Sequence, residues 1–219
     1  MSINTNSTDK ELPTLERLPD TTRHQFEAPS KKINDGDDLS FFFTSTAYRD
    51  LTKWLLQLNR SMFPVKGQDD KPKPRELDSS HQFSSHIQKL RQLLESLSDF
   101  IQQAPPDTGP RRFGNVAFRT WYNLADEHAE ALLWKHLDGV VPLEIGNGTM
   151  VQELKSYLLG GFGSAQRLDY GTGHELSFLA FLACLWKLGA FVDGEESMIV
   201  ICIIQPYVAS LQVSMWSTN

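Results

Sequence analysis

The chain has 219 residues, 40% hydrophobic and 22% charged, enough for one globular domain with a real core. A formal net charge of −6 and the lack of any lysine/arginine block argue against nucleic acid as a partner. Two cysteines, Cys184 and Cys202, lie in apolar stretches and read as buried free thiols, the usage of a reducing compartment.

Residues 1–37 are polar and proline-punctuated, which predicts a mobile tail with a short ordered piece near Leu18 and Phe26. The N-terminus shows no charged start followed by an apolar stretch, so no secretory signal is expected. Ala47/Tyr48, Leu51, Trp54/Leu55 and Leu58 repeat at three and four and predict a helix ending near Phe63-Pro64. The charged stretch from Lys66 to Ser80, with Pro72 and Pro74, predicts an exposed loop. Ile87, Leu90, Leu93/Leu94, Leu97 and Phe100/Ile101 mark a second amphipathic helix, stopped by Ala104-Pro105-Pro106.

A long third helix is expected from about Asn115, carried by Phe118, Trp121, Leu124/Ala125, Leu132/Leu133 and Leu137. His128 and His136 fall on one of its faces without acidic or cysteine partners at metal spacing, which suits surface or rim histidines. Thr149 and Gln152 have capping-box spacing and open a short helix that breaks at Gly160-Gly161. No β-alternation of useful length precedes residue 198. The expected class is all-α.

The most informative stretch is the polar, glycine-rich run from Gly163 to Gly173, followed at once by an apolar segment through Phe191. Thr172 and Glu175 are three apart, a capping-box spacing, which predicts a helix from Thr172 to a stop near Gly189. Unsatisfied amides and the positive end of the helix dipole would then face the loop carrying Arg167, a place for a phosphate or carboxylate. Glu175 brings opposing charge to the same end. The plainer alternative is a capped helix that happens to have an arginine upstream. The apolar segment contains Ser177 and Lys187 and falls short of the about 20 residues of a membrane span, so a central buried helix is expected. A dinucleotide fold, a P-loop and a zinc-protease helix are excluded: the glycine spacing is wrong, no G-x-x-x-x-G-K-[ST] occurs, and no second histidine follows His174-Glu175.

The run Arg167-Leu-Asp169-Tyr170-Gly171-Thr172-Gly173-His174-Glu175 with its apolar continuation closely resembles the signature of the phosphotyrosyl phosphatase activators, also called protein phosphatase 2A activators. Arg111 to Trp121 and Ser45 to Ser61 resemble two further segments of that family, in the family's order, so the resemblance spans roughly residues 38–192. It implies an all-helical fold, binding to the catalytic subunit of type 2A phosphatases, and ATP-dependent peptidyl-prolyl cis/trans isomerase activity on a proline-containing segment in cytoplasm and nucleus.

Carried over by position, nucleotide contacts fall on Arg167, Thr172 and Gly173. Asp169 and His174 take the catalytic positions, and Tyr170, Glu175, Arg119 and Trp121 line the substrate cleft. For Arg119 and Trp121 the residues alone also allow snorkelling over the core and packing inside it.

Family members continue past residue 197 into an amphipathic helix and a segment with a Gly-Val-Trp-Gly motif, where contacts to Mg2+ are expected. Here residues 198–219 diverge, with Pro206 inside an isoleucine-rich run that makes a poor helix interior. The resemblance therefore implies a C-terminally truncated member: a helical activator domain over 38–197 and a divergent tail. A non-enzymatic chaperone of the phosphatase subunit and a nonfunctional fragment remain the alternatives.

Overall fold

A computed structural model describes residues 13–66, 71–74, 83–105, 116–146 and 148–214. Its helices are α1 (Gly36–Phe43), α2 (Thr46–Ser61), α3 (Ser85–Gln103), α4 (Ala117–Leu137), α5 (Thr149–Gly160), α6 (Thr172–Lys187), α7 (Glu196–Ile199) and α8 (Gln205–Ser214), with a π turn, Val200–Ile204, between the last two. The all-α class holds. The expected loop after α2 contains one small exception: β1 (Val65–Lys66) pairs antiparallel with β2 (Pro72–Lys73).

Local chemistry explains most boundaries. The Ser45 side chain accepts from the Tyr48 amide to open α2, and Ser84 accepts from Ile87 to open α3. Along α3, Ile87, Leu90, Leu93 and Leu97 are all buried, one stripe at helical spacing. α4 answers with Phe118, Trp121, Ala125, Ala129 and Leu133, and the two helices pack along their length. α4 packs on α5, and α5 on α6.

The α5–α6 crossing is close because Gly160 and Gly161 lack side chains. A Cβ at Gly160 would lie 2.5 Å from Ser177 Oγ, and one at Gly161 would lie 2.9 Å from Phe178 Cβ. α6 supplies the centre of the core through Phe178, Phe181, Leu182, Leu185 and Trp186.

Two segments differ from expectation. The ordered piece expected near Leu18 and Phe26 begins earlier, at Leu15, which is 3% exposed. The Leu15 amide donates to Gln57 Oε1 (2.9 Å), Trp186 Nε1 donates to Leu15 O (2.8 Å), and the Leu18 amide donates to Lys187 O (2.8 Å). These bonds lay residues 15–33 as a strap across α2 and α6.

The isoleucine-rich run is helical rather than a broken tail, and Ile199, Cys202, Ile203 and Tyr207 bury against the helices. Pro206 lies just after the π turn, inside a helical run that is continuous from Glu196 to Ser214, so the expected break at proline does not occur.

Both capping boxes also fail to form. Gly148 and Gly171 occupy the N-cap positions without a side-chain bond, and Thr149 Oγ1 donates back to the Gly146 carbonyl instead. His136 is not a rim residue. It is 5% exposed with Nε2 3.2 Å from Ser96 Oγ, and burial, with Lys135 and Lys89 nearby, lowers its pKa. His128 is exposed, its Nδ1 2.9 Å from Leu124 O. Cys184 and Cys202 are free thiols, and burial pushes Cys184 up to about 12, away from thiolate reactivity. No helix among the described residues is long and apolar enough to cross a membrane.

Candidate functional site

The loop between α5 and α6 is a tight, self-bonded turn. The Ser164 amide donates to Asp169 O (3.1 Å), the Leu168 amide to Ser164 O (2.7 Å) and the Arg167 amide to Ser164 Oγ (3.1 Å). Closing it this way puts Leu168 at φ 53, a left-handed conformation that a branched side chain rarely takes. Such outliers persist only where the surroundings over-determine them. Here the outside tether is Arg119, which donates from Nε to Ala165 O (2.9 Å) and from Nη2 to Gln166 O (3.3 Å). Arg119 thus reaches the site from the first turn of α4 as a clamp on the loop backbone.

Within the loop, Arg167 Nε donates to Asp169 Oδ2 at 2.7 Å. The hydrogen bond from Arg167 holds the Asp169 carboxyl below the usual carboxylate range. The other carboxylate oxygen lies 3.7 Å from His174 Nε2, close enough for charge but too long for a hydrogen bond. His174 Nδ1 is 2.7 Å from Gly160 O, and a carbonyl only accepts, so Nδ1 carries the proton and Nε2 is turned to Asp169. The Tyr170 ring stacks on His174 at 5.8 Å, and its hydroxyl is 3.2 Å from Tyr207 Oη. Tyr207 in turn donates to the Gly161 carbonyl, and burial pushes its pKa up.

At the start of α6 the amides of His174 and Glu175 donate to Gly171 O. Those of Thr172 and Gly173 have no hydrogen-bond partner among the described residues, as the first turn of a helix without a side-chain cap dictates. A Cβ built at Gly171 or Gly173 meets nothing within 4 Å, so the backbone there is open to close approach. Arg167 is 64% exposed in its side chain and bonds Asp169 through Nε, with no hydrogen bond from its terminal nitrogens among the described residues.

This donor set fits a phosphate chain. Among the described residues no three His, Cys, Asp or Glu side chains gather around a possible metal. Beside the same first turn runs an apolar groove of about 530 Å3, lined by Leu55 and Leu58 of α2, Thr172, Glu175 and Phe178 of α6, and Tyr207 of α8.

The structure thus brings Arg167, Asp169, Tyr170, Thr172, Gly173, His174 and Glu175 to one loop and helix start. Trp121 is the correction. It is 2% exposed, donates from Nε1 to Leu97 O (3.0 Å), and stacks on Phe118 in the core, so no substrate reaches it. Arg111 to Asn115 of the second resembling segment lie outside the described residues. Sequence reasoning missed Tyr207, although it is the one aromatic ring in an otherwise aliphatic run, and a buried tyrosine hydroxyl needs a partner.

The family described as phosphotyrosyl phosphate activator (PTPA) protein matches residues 29–214, and the chain belongs to it. "Serine/threonine-protein phosphatase 2A activator 1" of Emericella nidulans is 47% identical over 202 residues, covering 88% of this chain and 47% of that protein. The protein of the same name from Aspergillus fumigatus is 46% identical over 90% of this chain and 43% of its own length. The chain therefore spans just under half of these relatives. Among solved structures, the PP2A phosphatase activator Ypa1 (PTPA1) superposes with a TM-score of 0.72 at 30% identity, covering 92% of this chain and 61% of that one.

Proposed function

We propose that this chain regulates type 2A serine/threonine phosphatases by binding their catalytic subunit, and that it acts as an ATP-assisted peptidyl-prolyl cis/trans isomerase on a proline-containing segment of that partner. Family membership and the names of its relatives support the first half. One observation carries the second: two amides without partners among the described residues at the start of α6, beside an exposed guanidinium, adjoin an apolar groove.

Arg167, Thr172 and Gly173 would hold the phosphates of a nucleotide through backbone N–H groups and one cation. Bound ATP would supply a polyanion that draws the loop together. Rotation about an X–Pro bond faces a barrier of roughly 20 kcal/mol, and a thousandfold acceleration needs about 4 kcal/mol of preferential binding to the twisted amide. No covalent nucleophile is required. The groove walls of Leu55, Leu58 and Phe178 would take the proline ring. Asp169, fixed by Arg167, accepts a peptide N–H, while His174 orients Asp169 and Tyr170, and Glu175 lines the rim.

A second reading has its own support. Asp169 is already paired, His174 is tied to the main chain, and Leu55 and Leu176 stand 54% and 42% exposed beside the groove. That arrangement suits a binding chaperone of the phosphatase subunit whose isomerisation is incidental.

One experiment separates the two. Phosphatase activity of the catalytic subunit and isomerisation of a proline peptide are measured with this chain, with and without ATP, for wild type and Asp169→Ala. The isomerase reading expects both activities to rise with ATP and to fall together in the variant. Activation that survives a zero isomerase rate selects the chaperone, and no activation by wild type overturns both.

A further inference from the structure

On the other flank of α6 lies a second cavity, of about 560 Å3, in the size range of small-molecule sites. The strap roofs it with Leu18, Phe26 and Ile33, and its walls include Leu51 of α2, Leu154 of α5 and Leu176 of α6. Three charged side chains enter this apolar space: Asp50, Glu153 and Lys187. Asp50 and Lys187 neutralise one another at 2.5 Å, and Asp50 also takes a bond from Arg49 at 3.0 Å.

Glu153 is different. Its one hydrogen bond is from the Glu27 amide of the strap (3.2 Å), and among the described residues no lysine or arginine pairs with it. The remaining polar side chains lining the cavity are the His24 ring, the Thr46, Tyr157 and Ser177 hydroxyls and the Cys184 thiol. The Ser177 hydroxyl is engaged by Tyr157 O at 3.0 Å.

A half-buried carboxylate in apolar surroundings is costly unless a cation meets it. We propose that this cavity is a binding site for an apolar organic cation, an aromatic or aliphatic group carrying one primary ammonium, with Glu153 as its counter-ion and the strap as its roof. Charge supports the choice: Lys187 is bonded to Asp50, and among the described residues Glu153 has no lysine or arginine within ion-pair distance, Lys187 and His24 attracting it only from further away. Burial raises the Glu153 pKa, as expected of a carboxylate waiting for a partner. The cavity shares Gly173 with the start of α6 and Leu176 with the groove, but its charged lining lies apart from Arg167 and Asp169, and the proposal stands whether or not the phosphatase reading does.

The test uses tryptamine, an ammonium at neutral pH, and its alcohol isostere tryptophol, titrated into the full chain by calorimetry and ligand-observed NMR. Tryptamine is expected to bind at least tenfold more tightly than tryptophol. Glu153→Gln, which keeps an acceptor for the Glu27 amide, is expected to abolish that difference and leave tryptophol binding unchanged. Ala180→Trp, which fills the cavity from α6, is expected to abolish binding of both, with folding of each variant checked by its melting transition. Equal binding of the two ligands, a difference that survives Glu153→Gln, binding unaffected by Ala180→Trp, or no binding at all would each overturn the proposal.

Discussion

At its C-terminal end α6 is fastened from three sides. Trp186 packs on Trp54 at 5.1 Å and on Phe191, its Nε1 holds Leu15 O, and Arg17 lies over its ring at 5.0 Å. Lys187 is bonded to Asp50 through its side chain and to the strap through its carbonyl. The other end has no side-chain cap, opens on a loop with Leu168 at positive φ, and keeps two amides without partners among the described residues. One helix thus carries a rigid anchor and an unsatisfied, exposed start. A site set on a loop needs such a scaffold beneath it, because binding groups left partly unsatisfied cannot also stabilise the fold.

The largest loss is expected at the anchor. Trp186→Ala should lower the unfolding free energy by about 3–5 kcal/mol in urea denaturation, through cavity formation and loss of the Leu15 bond. At the loop end Tyr207→Phe should cost about 1–3 kcal/mol, because the Gly161 carbonyl loses a buried donor.

The Asp50–Lys187 pair adds on the order of 1 kcal/mol, with a defined pH dependence. Burial pulls the Asp50 pKa up, but the hydrogen bonds from Lys187 and Arg49 outweigh it and leave the value lowered. A depressed carboxylate stabilises above its unfolded pKa and loses that contribution as pH falls through its folded pKa. Thermal melts should therefore show this part of the stability at neutral pH and its loss below about pH 4, with Asp50→Asn removing that slope. Smaller still, Arg119→Ala should leave Tm nearly unchanged while speeding amide hydrogen exchange across residues 163–170, since it frees only the loop.

What could be read from sequence follows the same division. The stripes of α2, α3 and α4 follow from local periodicity. The start of α6 falls at Thr172 as the spacing to Glu175 predicts, although the capping bonds behind that prediction do not form. The gathering of Arg167 to Glu175 follows as well, because those residues are neighbours in the chain. Their partners were not legible. Arg119 grips carbonyls 46 and 47 residues away, and Tyr207 closes onto Gly161 across 46. Backbone carbonyls leave no mark in a sequence.

Thr172–Glu175 shows the limit of a spacing rule. The extended backbone of Gly171 took the cap position and left Thr172 inside the helix. Trp121 shows a related limit. A position matched to a cleft by resemblance is here filled by the hydrophobic stripe of α4, so packing decided its place.

Amide-resolved NMR during an ATP titration probes the unfastened end of α6 itself. The Thr172 and Gly173 amide resonances should move first and furthest, and Arg167→Ala should weaken the response at least tenfold without changing Tm. Unmoved amides at those two positions, or an equal response in the variant, would contradict phosphate binding at this end.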